Sequence, residues 1–267
     1  MMGRAVRSEF LKFFTTRMWW GMAIAMFLAG GTFAGFFAWF YTSESFARIQ
    51  QQGGLSANPT EVANSVYTGG ISIGYLLMLT IGIMAIGSEY RHKTITSTFL
   101  ATPRRLQPML AKVIALLGIG AGYAAVSMAA SVAVGATVLR LLGHDPFPGS
   151  GVYRTLALSL LVLGLWALIG LGIGILIPNQ VAALLIGVGV AWIVEPLLSL
   201  LLSLWPWGRD HVSPWLPTQL TSNTINVVTQ SGQTHELAWW AAALGLCAWA
   251  AVLAGLGIVR TIRQDIT

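Results

Sequence analysis

Long apolar segments alternate with shorter polar ones along most of this chain. Six of the apolar segments are each close to twenty residues, the length at which a helix rising about 1.5 Å per residue crosses a hydrocarbon core of about 30 Å. We therefore predict an all-α integral membrane protein with six transmembrane helices. The predicted spans cover residues 19–41, 70–87, 113–139, 155–177, 181–204 and 238–259.

The composition agrees with a membrane environment. Of the 267 residues, 55% are hydrophobic and 9% are charged, whereas a soluble domain carries about a quarter charged residues. The segments between the spans are too short to build a core of their own, so we predict that residues 1–267 form a single transmembrane domain. The first span is longer than the apolar region of a removable signal peptide, and we interpret it as an anchor.

The basic residues predict the orientation, because lysine and arginine are retained on the cytoplasmic side. With both termini in the cytoplasm, eleven of the fifteen basic residues lie inside. We therefore predict a multi-pass protein of the plasma membrane with cytoplasmic termini, and the high Ala, Gly and Trp content points to a bacterial source. The basic residues sit at span ends and form no single face, which argues against nucleic-acid binding. The four outside are Arg48, Arg140, Arg154 and Arg209.

Apolar and polar side chains alternate with helical spacing before the first span. This pattern predicts an amphipathic helix lying in the membrane interface, although a basic flank that merely orients the first span would use the same residue types. The apolar positions are Val6, Phe10, Phe13 and Phe14, and the polar positions are Arg4, Arg7, Ser8 and Lys12.

The most charged part of the chain is the connection over residues 88–111, which we place in the cytoplasm. Residues 89–100 contain neither glycine nor proline and predict a short surface helix, which Pro103 ends because proline disfavours helix in the residue before it. A solvated connector that is simply rich in basic residues is the alternative.

With these features in place, the sequence resembles the permease subunits of type-2 ATP-binding-cassette (ABC) exporters over nearly its whole length. The resemblance rests on the N-terminal amphipathic helix, the six spans and the connection after the second span. That connection carries an acidic residue, a threonine, a proline–arginine pair and a lysine, which here are Glu89, Thr94, Pro103, Arg104 and Lys112. One departure is Lys93, which stands where the family often has glycine before the threonine.

The resemblance implies an export role and a set of partners. A cytoplasmic coupling helix over residues 89–102 would dock on a separate ATP-binding subunit, which would hold ATP and Mg²⁺, and a second permease copy would complete a homodimer. The substrate would pass between the two membrane halves, and nearly charge-free spans suggest an apolar or amphipathic molecule. The expected coupling residues are Glu89, Arg91, Lys93, Thr94, Thr98 and Arg104.

The outer connection between the fifth and sixth spans, residues 205–236, contains tryptophans and prolines. It resembles the short external helices that lie above the pore in that family, and an interfacial aromatic belt with proline turns is an equal alternative.

Glu195 is the single ionisable residue that we place inside a span. A charge in the membrane is a functional candidate because its insertion is unfavourable, and Glu195 could bind a cationic substrate or hold a gate. A protonated side chain, or one paired with the outer connection near Arg209, would be purely structural.

Other functions have less support. The chain has no phosphate-binding G-x-x-x-x-G-K-[ST] loop, its histidines fall in predicted loops without metal-ligand spacing, and no aspartate falls in a predicted span. We therefore expect no enzyme activity, metal or cofactor in this chain itself. An ion-coupled secondary transporter, which usually needs several intramembrane charges, and a non-transporting membrane scaffold remain the alternative functions.

Overall fold

The computed structural model describes residues 2–51, 58–92, 106–225 and 237–263, and the regular structure in these ranges is helical throughout. A π-helical turn, Val190–Val194, and a 3-10 turn, Ser213–Trp215, interrupt the α-helical pattern. The helices are α1 Met2–Phe14, α2 Met18–Tyr41, α3 Glu44–Gln51, α4 Pro59–Thr68, α5 Ile71–Arg91, α6 Leu106–Leu141, α7 Ser150–Leu176, α8 Gln180–Gly189, α9 Glu195–Ser203, α10 Pro206–His211, α11 Pro217–Ile225 and α12 Trp239–Arg263.

Six helical units within the described ranges are long and apolar enough to cross a membrane. They are α2, the α4–α5 pair, α6, α7, the α8–α9 run and α12, and each overlaps one predicted span. The prediction of an all-α protein with six such helices is therefore confirmed for the described residues. The division into domains stays a prediction.

The second unit begins eleven residues earlier than the sequence predicted. Asn58 starts α4 with a capping box. Its side-chain Oδ1 accepts a hydrogen bond from the Glu61 backbone amide at 2.9 Å, and its own backbone amide donates to Glu61 Oε2 at 3.1 Å. Gly69 and Gly70 then connect α4 to α5. A Cβ on Gly70 would lie 2.8 Å from the Ala29 carbonyl oxygen, so glycine is needed for this close approach to α2.

Helix α7 lies at the centre of the bundle and packs against α5, α6 and α12. Glycines permit these contacts, because a Cβ on Gly82 would lie 2.0 Å from the Ala167 carbonyl oxygen, and one on Gly170 would lie 2.1 Å from that of Leu79. Small residues serve this purpose widely in membrane helices. The run of glycines in α7 is thus a packing surface.

The α8–α9 run is the least buried of the six units and presents a row of exposed leucines, valines and isoleucines. Its π-helical turn immediately precedes Glu195 and Pro196. The Glu195 amide bonds to the Val190 carbonyl five residues earlier, and Pro196 has no amide with which to continue the α-helical pattern. The proline therefore accounts for the position of the turn.

Helix α1 lies against α6 and the start of α2. The Phe13 ring meets the edge of the Tyr123 ring at 5.9 Å between centroids, and the Phe10 ring lies over Gly118, where a Cβ would approach within 2.8 Å. The predicted helix is therefore present, with Phe10 and Phe13 facing the bundle. Its location in a membrane interface stays a prediction. The end of the bundle that carries α1, the last turn of α5 and the first turns of α6 is called the basic end.

Candidate functional site

Four charged side chains from three helices meet at the basic end. Glu9 and Lys12 come from α1, Glu89 from the last turn of α5, and Lys112 from the second turn of α6. Their carboxylate oxygens and ammonium nitrogens lie between 2.5 and 3.0 Å apart in four ion pairs. We call these four residues the charge cluster.

Lys112 is the most enclosed member, with 4% of its side chain exposed. Its Nζ donates to Glu9 Oε2 at 2.5 Å, to Glu89 Oε1 at 3.0 Å and to the Ala85 carbonyl oxygen at 3.2 Å. An ammonium group has three donors. Every donor of Lys112 therefore has an acceptor, and this lysine is a structural member of the cluster.

Glu9 and Lys12 close the cluster from the side of α1. They stand three positions apart, a spacing that brings side chains together on one helix face, and Glu9 Oε1 accepts from Lys12 Nζ at 2.6 Å. Lys12 also donates to Glu89 Oε1 at 2.9 Å. Glu9 Oε2 accepts from Lys112 and Glu9 Oε1 accepts from Lys12. Glu9 therefore joins α1 to α6.

The electrostatics of the cluster favour its charged state. Burial acts to raise the pKa of Glu9, but the attraction of Lys112 and hydrogen bonds from Lys112 and Lys12 outweigh it and lower that pKa. Burial acts to lower the pKa of Lys12, yet hydrogen bonds and attraction from Glu9 and Glu89 raise it. Two carboxylates thus balance two ammonium groups.

The balance makes the cluster hard to break. Removing one member of a buried ion pair leaves an uncompensated charge and costs about 3–5 kcal/mol. The cluster therefore fastens α1 to the two helices, α5 and α6, that flank residues 93–105.

A cavity of about 520 Å³ opens beside the cluster. Its wall contains both polar and apolar residues. The polar ones include the charge cluster, Thr16, Ser88 and His92, and the apolar ones include Phe13, Met18, Met84, Leu116 and Ile119.

The expected coupling residues fall into two groups. Glu89 is buried in the last turn of α5, where the sequence predicted the start of a separate surface helix, because α5 continues as far as Arg91. Arg91 is exposed at that helix end. The remaining expected residues, Lys93, Thr94, Thr98 and Arg104, lie outside the described residues, as does most of the predicted coupling helix.

Sequence reasoning did not single out Glu9. It is the one acidic residue in the first 43 positions, where it stands among Arg4, Arg7, Lys12 and Arg17. A lone acid in a basic helix, three positions from a lysine, was the available signal. Its partner Lys112 is 103 positions away, and no local pattern reveals that contact.

Glu195 occupies the opposite end of the bundle, at the start of α9, and is buried. Its Oε2 accepts hydrogen bonds from the Thr218 amide at 2.9 Å and the Thr218 hydroxyl at 2.8 Å. The carboxyl is thus held by the outer connection, but through Thr218. Arg209, the partner considered from the sequence, instead pairs with its neighbour Asp210 at 2.8 Å.

The short helices α10 and α11 lie in the outer connection, and α11 packs on α7 and α12. The Trp166 indole donates to Thr221 Oγ1 at 2.9 Å, which ties α7 to α11. Next to them is a cavity of about 240 Å³ whose wall includes the hydroxyls of Ser72, Tyr75, Thr218 and Ser222. At this end of the bundle, hydrogen bonds to Thr221 and from Thr218 tie α11 to α7 and to Glu195.

The sequence matches no protein-family model, and no curated protein matches it either. The lysines and carboxylates of the charge cluster are paired with one another, so the cluster is suited to holding α1, α5 and α6 together. The adjoining cavity has the mixed polar and apolar wall that suits an amphipathic molecule.

Proposed function

We propose that this chain is the membrane-spanning permease subunit of an ABC exporter. A separate subunit hydrolyses ATP with its own Mg²⁺, and a second copy of this chain completes a homodimer in the plasma membrane with its termini in the cytoplasm. The substrate is apolar or amphipathic. The proposal keeps the expectation that this chain itself carries no nucleotide, metal or enzyme activity.

The charge cluster is the observation that carries the proposal. It joins α1 to the end of α5 and the start of α6, and these two helix ends flank residues 93–105, which include most of the expected coupling helix over residues 89–102. A connector that only joined two spans would not need ion pairs that hold α1, α5 and α6 together. A segment that receives force from a partner needs helix ends that move as one body.

The ion pairs of the charge cluster suggest how a conformational change driven by ATP hydrolysis is transmitted to the membrane helices. When the partner subunits close, they displace residues 93–105, and α5 and α6 move with that segment. Because Glu9 binds Lys112 and Lys12 binds Glu89, helix α1 moves too. Since only residues 15–17 separate α1 from α2, the displacement reaches the first span.

Apolar surfaces agree with a pathway completed by a second copy. The α8–α9 run is the least buried spanning unit and exposes Leu185, Trp192 and Leu201 by more than half. In the proposed dimer this surface meets the partner copy or the substrate. The resemblance supplies the arrangement, and the exposed surface is compatible with it.

The test is copurification of the tagged full-length chain with the products of its neighbouring genes in mild detergent, followed by ATPase assay. A double variant, Arg91→Ala with Thr94→Ala, removes exposed or connector side chains and leaves the buried Glu89 in place. The matched control is Arg48→Ala, because Arg48 is 75% exposed and lies on α3, away from the charge cluster.

We expect an ATPase to copurify with the wild type and the control, and to be lost or reduced with the double variant. Recovery of the chain without a nucleotide-hydrolysing partner across several detergents would overturn the proposal. A secondary transporter or a scaffold would then be the better hypothesis. Retention of the partner by the double variant would place its docking site elsewhere.

A further inference from the structure

The cavity beside the charge cluster has a feature that the proposed coupling role does not use. Lys12 donates to Glu9 and Glu89, which occupies two of its three ammonium donors, and no third acceptor contacts it in the part of the chain that the structure describes. Its side chain is 45% exposed, whereas that of Lys112 is 4% exposed. Lys12 thus offers a charged donor at the cavity wall.

Two further polar residues line the same cavity as Lys12. Ser88 and His92 lie one helical turn apart at the end of α5 and line the same cavity. Both carry side-chain groups able to donate hydrogen bonds. Lys12, Ser88 and His92 therefore supply a charged donor and additional donors from which a phosphate group can accept, beside the carboxylates of Glu9 and Glu89 that line the same cavity.

The rest of the cavity wall has the opposite character. Met18, Met84, Leu116 and Ile119 are apolar residues of the same cavity wall, and the methionine side chains adapt readily to flexible chains. Ile119 also borders a second, almost entirely apolar groove of about 240 Å³. That groove is lined by Phe10, Phe14, Trp19, Gly118, Gly122 and Tyr123, among others.

Exposed tryptophans near the cavity indicate its depth in the membrane. Trp19 and Trp20 are exposed in the first turn of α2, and tryptophan concentrates where lipid headgroups meet the hydrocarbon. The cavity includes Met18, the residue before them. Its polar wall therefore lies at headgroup depth, whichever side of the membrane this end faces.

We infer that this cavity binds a membrane phospholipid, with the phosphate at Lys12, Ser88 and His92 and the acyl chains along the apolar wall toward Ile119. A volume of about 520 Å³ falls in the range of small-ligand sites, which is enough for a glycerol phosphate headgroup and the first part of its chains. The site belongs to this chain alone, and the inference does not depend on an ATPase partner.

The binding test uses the full-length chain, delipidated in mild detergent and studied by native mass spectrometry. Phosphatidylglycerol is the probe. Diacylglycerol with the same acyl chains tests the need for the phosphate, and inorganic phosphate tests the need for the chains. We expect phosphatidylglycerol to bind at least tenfold more tightly than diacylglycerol, about the value of one charge-assisted hydrogen bond. Inorganic phosphate should neither bind measurably nor compete.

Two variants test the location of the site. Lys12→Gln removes the charged donor, and Arg7→Gln is its matched control, because Arg7 is an exposed basic residue on α1 that does not line the cavity. Met84→Trp adds volume at a half-buried position of the apolar wall without changing charge. Unfolding temperature, measured for each variant, identifies any that fails to fold.

We expect Lys12→Gln and Met84→Trp each to weaken phosphatidylglycerol binding about tenfold and Arg7→Gln to leave it unchanged. Equal losses in Lys12→Gln and Arg7→Gln would mean general attraction to a basic surface and would overturn the inference. So would equal binding of diacylglycerol, effective competition by inorganic phosphate, or unchanged binding in a folded Met84→Trp variant.

Discussion

Glu9 and Lys112 are joined by a 2.5 Å contact from Oε2 to Nζ, although 103 positions separate them. Both side chains are at least nine-tenths enclosed. The contact fixes α1, which precedes the first apolar helix, against α6. Together with the Lys12–Glu89 pair and the packing of Phe10 and Phe13, the contact gives α1 a definite orientation on the bundle.

Replacing Lys112 with methionine should destabilise the protein by about 3–5 kcal/mol, because Glu9 and Glu89 would share the single charge of Lys12 in a buried site. Denaturant unfolding in mild detergent measures the change. Arg91→Met is the control, since Arg91 is exposed at the end of α5, and its effect should stay within about 0.5 kcal/mol. Equal losses in the two variants would contradict a special role for the cluster.

The contribution of Glu9 should depend on pH. Burial acts to raise its pKa, but attraction and hydrogen bonds from Lys112, together with those from Lys12, lower it from an ordinary value of 4.5. The folded state therefore favours the carboxylate. The resulting stability is fully present above pH 4.5 and is lost as the pH falls through the lower folded-state pKa.

The difference in unfolding free energy between wild type and Glu9→Gln measures this dependence. It should be constant between pH 7 and the ordinary pKa and should shrink on further acidification. Glu44→Gln is the comparison, because Glu44 is 91% exposed on α3 and pairs only with Arg48, which is 75% exposed, among the described residues. A Glu9→Gln difference that did not change with pH would show that packing, and not charge, is responsible.

A single methyl group at Gly170 should destabilise the centre of the bundle. The Cβ of Gly170→Ala would lie 2.1 Å from the Leu79 carbonyl oxygen, which belongs to backbone and cannot easily move aside. Overpacking of this kind costs about 1–3 kcal/mol. Gly189→Ala is the control, because a Cβ there meets no atom within 4 Å, and thermal unfolding should find it as stable as the wild type or slightly more stable.

Hydropathy predicted the six apolar helices because each contains about twenty nearly uncharged residues, and that signal is local. It did not predict α4. Asn64, Ser65 and Thr68 are polar and break the apolar run, yet all three are buried where α4 packs on α2, α6 and α7. Polar residues lower the local hydropathy, although helices in a membrane protein can bury such groups against one another.

The candidate site was predictable only in part. Glu89 was identified from its resemblance to a known pattern, but its burial depends on Lys12 and Lys112, which lie 77 and 23 positions away. For Glu195, the position next to Pro196 and inside an apolar segment was visible in the sequence. Its partner Thr218 lies in a connection whose path depends on how α11 packs.

The hydrogen bonds of Glu195 distinguish its two possible roles through a pair of substitutions. Glu195→Gln keeps an oxygen that can accept from the Thr218 amide and hydroxyl, whereas Glu195→Leu leaves both donors without their acceptor. An unpaired buried donor costs about 1–3 kcal/mol. If Glu195 serves to hold the outer connection, Glu195→Leu should lower the unfolding free energy by that amount, and Glu195→Gln should be close to wild type. A loss in Glu195→Gln as large as that in Glu195→Leu would instead mean that the charge itself is required, which would favour a role in binding a cation or in gating.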